Sequence, residues 1–380
     1  MCPTMAMTKE NDDDALESQY QKGVKRLYEK GINKVPDKYI LPVQERPSYC
    51  AQVAELHNNE EINKQNLKLP IIDFAELQGS NRPQVLKSLA EACEQYGFFQ
   101  LVNHGISNDV ISGMIDAVKR FFELPYEERS KYMTSDMNAL VRYGTSFNQN
   151  KDNVFCWRDF LKLMCSPLSD VLAHWPSSPT DFRDLVATYA KETNYLFLKV
   201  MEAMLQSLLL GTNKNKETKE DDEIMKEFEV GSQLMVVNFF PPCPEPDLTL
   251  GMPPHSDYGF FTLLLQDEVE GLQIRYKDKW VTVQPIPNAF VVNVGDHLEI
   301  FSNGKYKSVL HRVKVNSAKA RISVASLHSL PFRCTVKPWP KLIDEANPRR
   351  YADTNFAAFL DYISSRDPKN KEFLESRKLL

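Results

Sequence analysis

The last third of the chain restricts the fold most. From Ser232 onward, short stretches rich in β-branched and aromatic residues follow one another: LMVVNFF, FFTLLLQ, GLQIRY, KWVTV, AFVVNVG, KSVLHRVKV and RISVASLH. Turns made of Pro, Gly and Asn separate them. Short strands at regular spacing predict an antiparallel barrel or jelly roll. The chain before Ser232 has another texture. RPQVLKSLAEACEQYG, NDVISGMIDAVKRFFELP and TDFRDLVATYAKETNYLFLKVMEAMLQSLLLG repeat apolar residues every three or four positions, which predicts amphipathic helices. Gly97 stops the first, Pro125 closes the second, and Thr180 or Asp181 can cap the third. KLPIIDFAEL and FFQLVNHG each hold a short strand. The expected fold class is therefore mixed α and β: a jelly-roll core braced by N-terminal helices and by a C-terminal helix at FAAFLDYISSR.

The same changes of texture divide the chain. Residues 1–64 read as a polar N-terminal extension, partly disordered, and 65–180 as an α-rich region. Residues 181–231 hold the long bracing helix and the charged run NKNKETKEDDE, read as a solvated loop. Residues 232–335 form the β core, and 336–380 a helical C-terminal segment.

Composition mainly excludes. A formal charge of -5 with no basic cluster gives nucleic acid nothing to bind. No apolar run is long enough to cross a membrane, and the acidic N-terminus does not resemble a signal peptide. The seven scattered cysteines lack any C-x-x-C pair, which argues against a disulfide framework or a thiolate zinc site and fits a reducing compartment. A cytoplasmic protein with a small-molecule partner is expected.

The chemistry concentrates in GMPPHSDYGFFTLLLQD. An ionised carboxylate at the mouth of a core strand needs compensation. On a strand, His255 and Asp257 would point the same way and could share a metal. Of the other histidines, His311 is the strongest third ligand, because VLHRVKV is a β-type run that a barrel can bring opposite HSD. His57, His104, His174 and His297 sit in loops or turns, and His328 lies on the last strand. Two histidines and a carboxylate on one face of an octahedral ion leave positions open, which suits non-haem Fe(II). Zinc would more often close its shell. RISVASLH adds Arg321 and Ser323 two residues apart on one face, a receptor for a carboxylate entering the barrel.

With those residues in view, NFFPPCPEP, GMPPHSDYGFFTLLLQDEVEGLQI, VVNVGDHLEIFSNGKYKSVLHRV and ARISVAS, in that order, resemble the plant 2-oxoglutarate/Fe(II)-dependent dioxygenases. LPIIDF and CEQYGFFQLVNHGI resemble that family's N-terminal region, so the likeness spans roughly residues 65 to 335. The resemblance implies a double-stranded β-helix, a metal triad of His255, Asp257 and His311, and a 2-oxoglutarate clamp of Arg321 and Ser323, helped by Asn238. It implies Fe(II), O2 and ascorbate as further requirements, succinate and CO2 as by-products, and a monomer. The subgroup it looks most like modifies gibberellins and specialised metabolites. Flavonoid, phenolic and alkaloid oxidases are broader relatives.

The segment WRDFLKL resembles the family's stretch across the active-site mouth, which nominates Phe160 and Lys162 as substrate residues, with Leu327, Ser329, Phe332 and Phe155 as further candidates. Lys162 could meet the carboxylate of a gibberellin-type acid. One departure stands out: Phe240 occupies a position where many relatives carry a tyrosine that helps hold 2-oxoglutarate, so weaker cosubstrate binding is expected. Other readings are an aminocyclopropanecarboxylate oxidase-like enzyme that uses ascorbate, a catalytically silent binding module, and a zinc hydrolase on a similar barrel.

Overall fold

The computed structural model describes residues 22–47, 68–146, 152–211, 219–365 and 372–379. The expectation of a frayed start, residues 1 to about 20, lies outside them. Strands β1 (Ile71–Asp73), β2 (Phe98–Val102), β3 (Val141–Gly144), β4 (Asp159–Met164) and β5 (Ser232–Phe240) come first in the chain. Next come β6 (Met252–His255), β7 (Phe261–Gln266), β8 (Leu272–Tyr276) and β9 (Lys279–Thr282). The last are β10 (Phe290–Val294), β11 (His311–Val313) and β12 (Arg321–Ser329). They form a major sheet in the order β1-β2-β10-β7-β12-β5-β4-β3 and a minor one in the order β6-β11-β8-β9. Only β1 and β2 pair in parallel among these strands. Two facing, mostly antiparallel sheets make the expected jelly roll.

Alternation assigns each strand two jobs. On β7, Phe261, Leu263 and Leu265 join the large apolar core, whereas Thr262 and Leu264 face an internal cavity. The same split holds on β12, where Ile322 and Val324 are core and Arg321, Ser323, Ala325 and Leu327 line the cavity. Helix α1 (Arg82–Gln95), α2 (Asn108–Glu123) and α3 (Phe182–Leu208) supply the other half of that core with Leu89, Met114, Phe121, Leu196, Val200 and Met204. On the inner side, Phe98, Leu264 and Val291 of the major sheet meet Leu272 and Ile274 of the minor one.

Two sequence readings need correction. The run NKNKETKEDDE is not all loop: its second half opens helix α4 (Lys219–Glu229), and Phe228 inserts into the core to anchor it. VLHRVKV predicts a longer strand, but only His311–Val313 pairs. Strands β3 and β4 were not foreseen as sheet members. They extend the major sheet beyond β5, in register Phe160↔Asn238 and Arg142↔Lys162.

Residues 22–47 wrap over this edge. Asp159, fully buried at the start of β4, accepts from Val24 N–H at 2.7 Å, Lys25 N–H at 3.2 Å and the Tyr143 hydroxyl at 2.6 Å. Gly23 turns the chain into this contact with φ +98°, and a Cβ there would sit 2.7 Å from the Asp159 carboxylate. Arg129, itself buried, bonds Tyr143 at 3.2 Å and Glu29 at 2.9 Å. Farther along, Tyr39 packs edge-on against Phe155 and Trp157. Asp159→Ala should cost about 3 kcal/mol, because it orphans two backbone donors and a buried hydroxyl. Chemical denaturation measures that loss, and limited proteolysis should show faster cutting within residues 23–46; unchanged protection would contradict the latch.

Candidate active site

The metal triad converges as expected, by a slightly different route. His255 ends β6 and pairs directly with His311, the first residue of β11. Asp257 lies beyond the end of β6, in the turn that follows, not on the strand. That turn is fixed by Asp296 N–H donating to the Asp257 carbonyl at 2.7 Å. It is possible because Gly295 passes so close that a Cβ would meet the Gly259 carbonyl oxygen at 2.1 Å.

Asp257 Oδ1 lies 3.9 Å from His255 Nε2 and 3.7 Å from His311 Nε2. The imidazole centroids are 4.1 Å apart. Asp257 Oδ2 is engaged elsewhere, accepting from the Thr262 hydroxyl at 2.5 Å and Asn293 Nδ2 at 2.8 Å. Each imidazole has Nδ1 beside a backbone carbonyl, Pro253 for His255 at 2.8 Å and Val309 for His311 at 3.3 Å. An Nδ1–H donated there leaves the Nε2 lone pair free, the tautomer that a metal requires. Burial, and then the neighbouring His311, push His255 down to about 3, so its ring stays neutral. Burial works to raise Asp257, but the two imidazoles and the Asn293 and Thr262 hydrogen bonds hold it net below the usual carboxylate range. Two imidazoles and a carboxylate, each offering one free atom to a common point, fit a divalent metal with open positions.

Thr262, Asn293 and Phe98 were missed by the sequence reading. The first two sit at inward positions of β7 and β10, and the Phe98 ring meets His311 edge-on at 5.5 Å. Only the strand alternation of FFTLLLQ and VVNVG could have flagged Thr262 and Asn293 as polar residues on a cavity face.

The cavity above the triad has a volume of about 750 Å³ and is mostly apolar, a size that holds a small organic molecule. Arg321 lies buried in its wall, donating to Val269 O at 3.1 Å, Gln266 Oε1 at 2.9 Å and Ser323 Oγ at 3.4 Å. All three partners are neutral. Burial lowers Arg321 to about 10, against the pull of Asp267. Gly271 makes room for it, since a Cβ there would lie 2.9 Å from Arg321 Cδ. A buried guanidinium with neutral partners, beside a hydroxyl, fits a ligand carboxylate. Asn238 faces Ser323 across β5 and β12, but its Oδ1 accepts a hydrogen bond from Arg158 Nη1. Phe240 stands directly across from Arg321, with the guanidinium carbon 5.2 Å from its ring centroid.

Phe155, Phe160, Lys162, Leu327 and Phe332 line the cavity, as nominated. Ser329 does not: at the end of β12 its hydroxyl meets His297 Nδ1 at 2.9 Å, buried away from the cavity. Lys162 is not a solvated surface residue. Its ammonium donates to Met137 O at 2.8 Å, and burial together with Arg142 lowers it to about 8.

Comparison with known proteins agrees with this geometry. Residues 231–329 match the 2OG-Fe(II) oxygenase superfamily, and 69–180 match the non-haem dioxygenase in morphine synthesis N-terminal family. The chain is 40% identical over 311 residues to protein DMR6-LIKE OXYGENASE 1 of Arabidopsis thaliana, covering 82% of this chain and 84% of that one. The chain belongs to the 2OG-Fe(II) oxygenase superfamily. It is also 36% identical to flavanone 3-dioxygenase 2 of Oryza sativa subsp. japonica, over 90% of this chain and 93% of that one. The crystal structure of JOX2 in complex with 2OG, Fe and JA superposes with a TM-score of 0.80 at 31% identity, over 94% of this chain and 98% of that one.

As a 2-oxoglutarate-dependent dioxygenase, the protein uses Fe(II), 2-oxoglutarate and O2, with ascorbate as the reductant typical of the family. His255, Asp257 and His311 would hold the iron, which when bound couples decarboxylation of 2-oxoglutarate to activation of dioxygen. Arg321 and Ser323 would hold the cosubstrate, and the apolar walls exclude water from the reaction.

Asn293→Ala should weaken metal retention by about tenfold to a hundredfold while leaving all three ligands in place, because it frees Asp257 Oδ2 to turn. Competition with a chelator for Mn(II) measures this, with Asp257→Ala as the reference for full loss. Wild-type retention in Asn293→Ala would contradict the assigned role.

Proposed function

We propose that this dioxygenase hydroxylates a small, ring-bearing plant specialised metabolite, with desaturation as the outcome where a second hydrogen is lost. The observation that supports this most directly is the placement of the His255–Asp257–His311 triad and the Arg321/Ser323 pair on the walls of one apolar cavity, with volume to spare for an organic ring system. A relative named flavanone 3-dioxygenase 2 favours a flavonoid-type substrate among the readings. A gibberellin-type acid, the finer sequence expectation, has no comparable support. We place the enzyme in the cytoplasm as a monomer; among the described residues no helix is long and apolar enough to cross a membrane.

His255, Asp257 and His311 act as metal ligands in this reading, and Arg321 and Ser323 as the cosubstrate clamp. Phe160, Leu327, Phe332 and Phe155 shape the substrate side. Phe240 offers Arg321 a ring face in place of a hydroxyl, so the clamp holds 2-oxoglutarate with one hydrogen bond fewer.

Incubation with Fe(II), ascorbate and 2-oxoglutarate should release succinate in step with O2 consumption. An enzyme of the aminocyclopropanecarboxylate oxidase type would consume O2 without succinate, and that result would overturn the proposal. Phe240→Tyr should tighten 2-oxoglutarate binding roughly tenfold, the worth of one charge-assisted hydrogen bond. Calorimetric titration checks it; unchanged affinity would show that the missing hydroxyl does not limit the clamp.

A further inference from the structure

The cavity carries more positive charge than the cosubstrate clamp requires. Alternation along β4 turns Phe160 and Lys162 inward, and Arg158, two residues before Phe160, lines the same wall. Arg142 faces Lys162 across the β3–β4 pair. The guanidinium carbons of Arg142 and Arg158 lie 5.2 Å and 5.0 Å from the centroid of the same Phe160 ring.

Arg158 is 3% exposed. Its Nη1 donates to Asn238 Oδ1 and contacts Met252 Sδ at 3.0 Å, with the Cys156 thiol alongside. Its Nε–H is buried with no hydrogen-bond partner. Among the cavity's carboxylates, Asp257 belongs to the metal site, and Asp296 is held by Ser308 at 2.7 Å and Ser256 at 3.2 Å. Once Arg321 is assigned to 2-oxoglutarate, Arg142, Arg158, Lys162 and Arg333 stand against Asp152 and Glu45. Asp152, which accepts from the Ser146 hydroxyl at 2.5 Å, offsets part of this charge at both Arg142 and Arg158, as do Asp136 for Arg142 and Asp159 for Arg158. Cations crowded around one ring in a mostly apolar cavity repel each other and lose hydration, and an anion from outside relieves both costs.

We propose that Arg158, backed by Arg142 and Lys162, is the receptor for an anionic group, carboxylate or phenolate, on the organic substrate, whose ring system packs beside Phe160. This rests on the proposed function and narrows its substrate class to organic acids. Arg158 is well placed for the task. Asn238 ties it to β5, opposite Ser323 of the clamp strand, and Met252 ties it to β6, the strand that ends in His255. An anion seated there brings the rest of the substrate between the clamp and the metal ligands. Like-charge crowding is visible in the neighbours: after burial, Arg158 is the next cause lowering Arg142.

The test uses acid and amide pairs of equal shape: 2-naphthoate with 2-naphthamide, cinnamate with cinnamamide, and cyclopentylacetate with its amide. Binding is measured by calorimetry on the full chain loaded with Mn(II) and 2-oxoglutarate, where no turnover occurs. At least one acid should bind about tenfold more tightly than its amide. Arg158→Gln should erase that preference while leaving amide affinity and the separately measured 2-oxoglutarate affinity unchanged. Arg158→Lys keeps the charge without the fork and should retain part of the preference; it serves if the glutamine variant does not fold.

No acid preference in the wild type, or full preference in Arg158→Gln, overturns the proposal. So does a loss of 2-oxoglutarate affinity in that variant, which would assign Arg158 to the cosubstrate. Succinate release by the Fe(II) enzyme separates the two levels. If it persists while acid preference is absent, the anion receptor falls and the oxygenase reading stands; if wild type releases none, both fall.

Discussion

The two-residue period of the β-strand is the constraint on which the rest of this structure depends. Each central strand must give one face to a core shared with three helices and the other to a cavity that holds polar chemistry. A slip of one residue in β12 would send Arg321 and Ser323 into the helical core and bring Ile322 and Val324 to the cavity. Register is protected because the outward set, Phe261, Leu263, Leu265, Val292, Val294 and Val324, is uniformly apolar and fully buried. Hydrophobic packing on one side of the sheet thus positions hydrogen bonds and charges on the other.

The carboxylate of Asp257 shows what that precision achieves. Inward residues of two different strands, Thr262 and Asn293, take one of its oxygens and leave the other facing both imidazoles. The imidazoles are oriented by carbonyls two residues upstream in their own chain segments. Local backbone sets the tautomer, and tertiary pairing of β6 with β11 sets the distance. Preorganisation of this kind means that the metal meets ligands already aimed, with no side chain left to reorganise.

Legibility in the sequence followed the range of the interactions. The β-type runs from Ser232 on, the three long helices and the inward pair Arg321 and Ser323 were readable, because spacing within a segment encodes which face a residue takes. The triad rested on the family resemblance as well, since Asp257 lies beyond the strand. Contacts between distant segments were not. Nothing in WRDFLKL announces that Asp159 holds a backbone turn 135 residues earlier in the chain. Nor does it announce that β4 joins the sheet edge and turns Lys162 inward, because a mixed run with Asp, Lys and Met has weak strand character. Helix α4 was hidden by its charge: Phe228, buried against Phe197 of α3, and the half-buried Ile224 and Met225 fix a segment that otherwise looks like solvated loop. Ser329 was nominated with Leu327 by resemblance to the family, but β12 leaves the cavity after Leu327 and the Ser329 hydroxyl meets His297.

His255, Asp257 and His311 would hold Fe(II) from one side and leave the 2-oxoglutarate side of the cavity open. Anaerobic visible spectroscopy tests this arrangement directly. Fe(II) and 2-oxoglutarate together should produce the metal-to-ligand charge-transfer band of a chelated 2-oxo acid in the wild-type protein, whereas Fe(II) alone should give none, and Asp257→Ala should abolish it. A wild-type protein that binds both yet shows no band would contradict shared binding of Fe(II) and 2-oxoglutarate at this site.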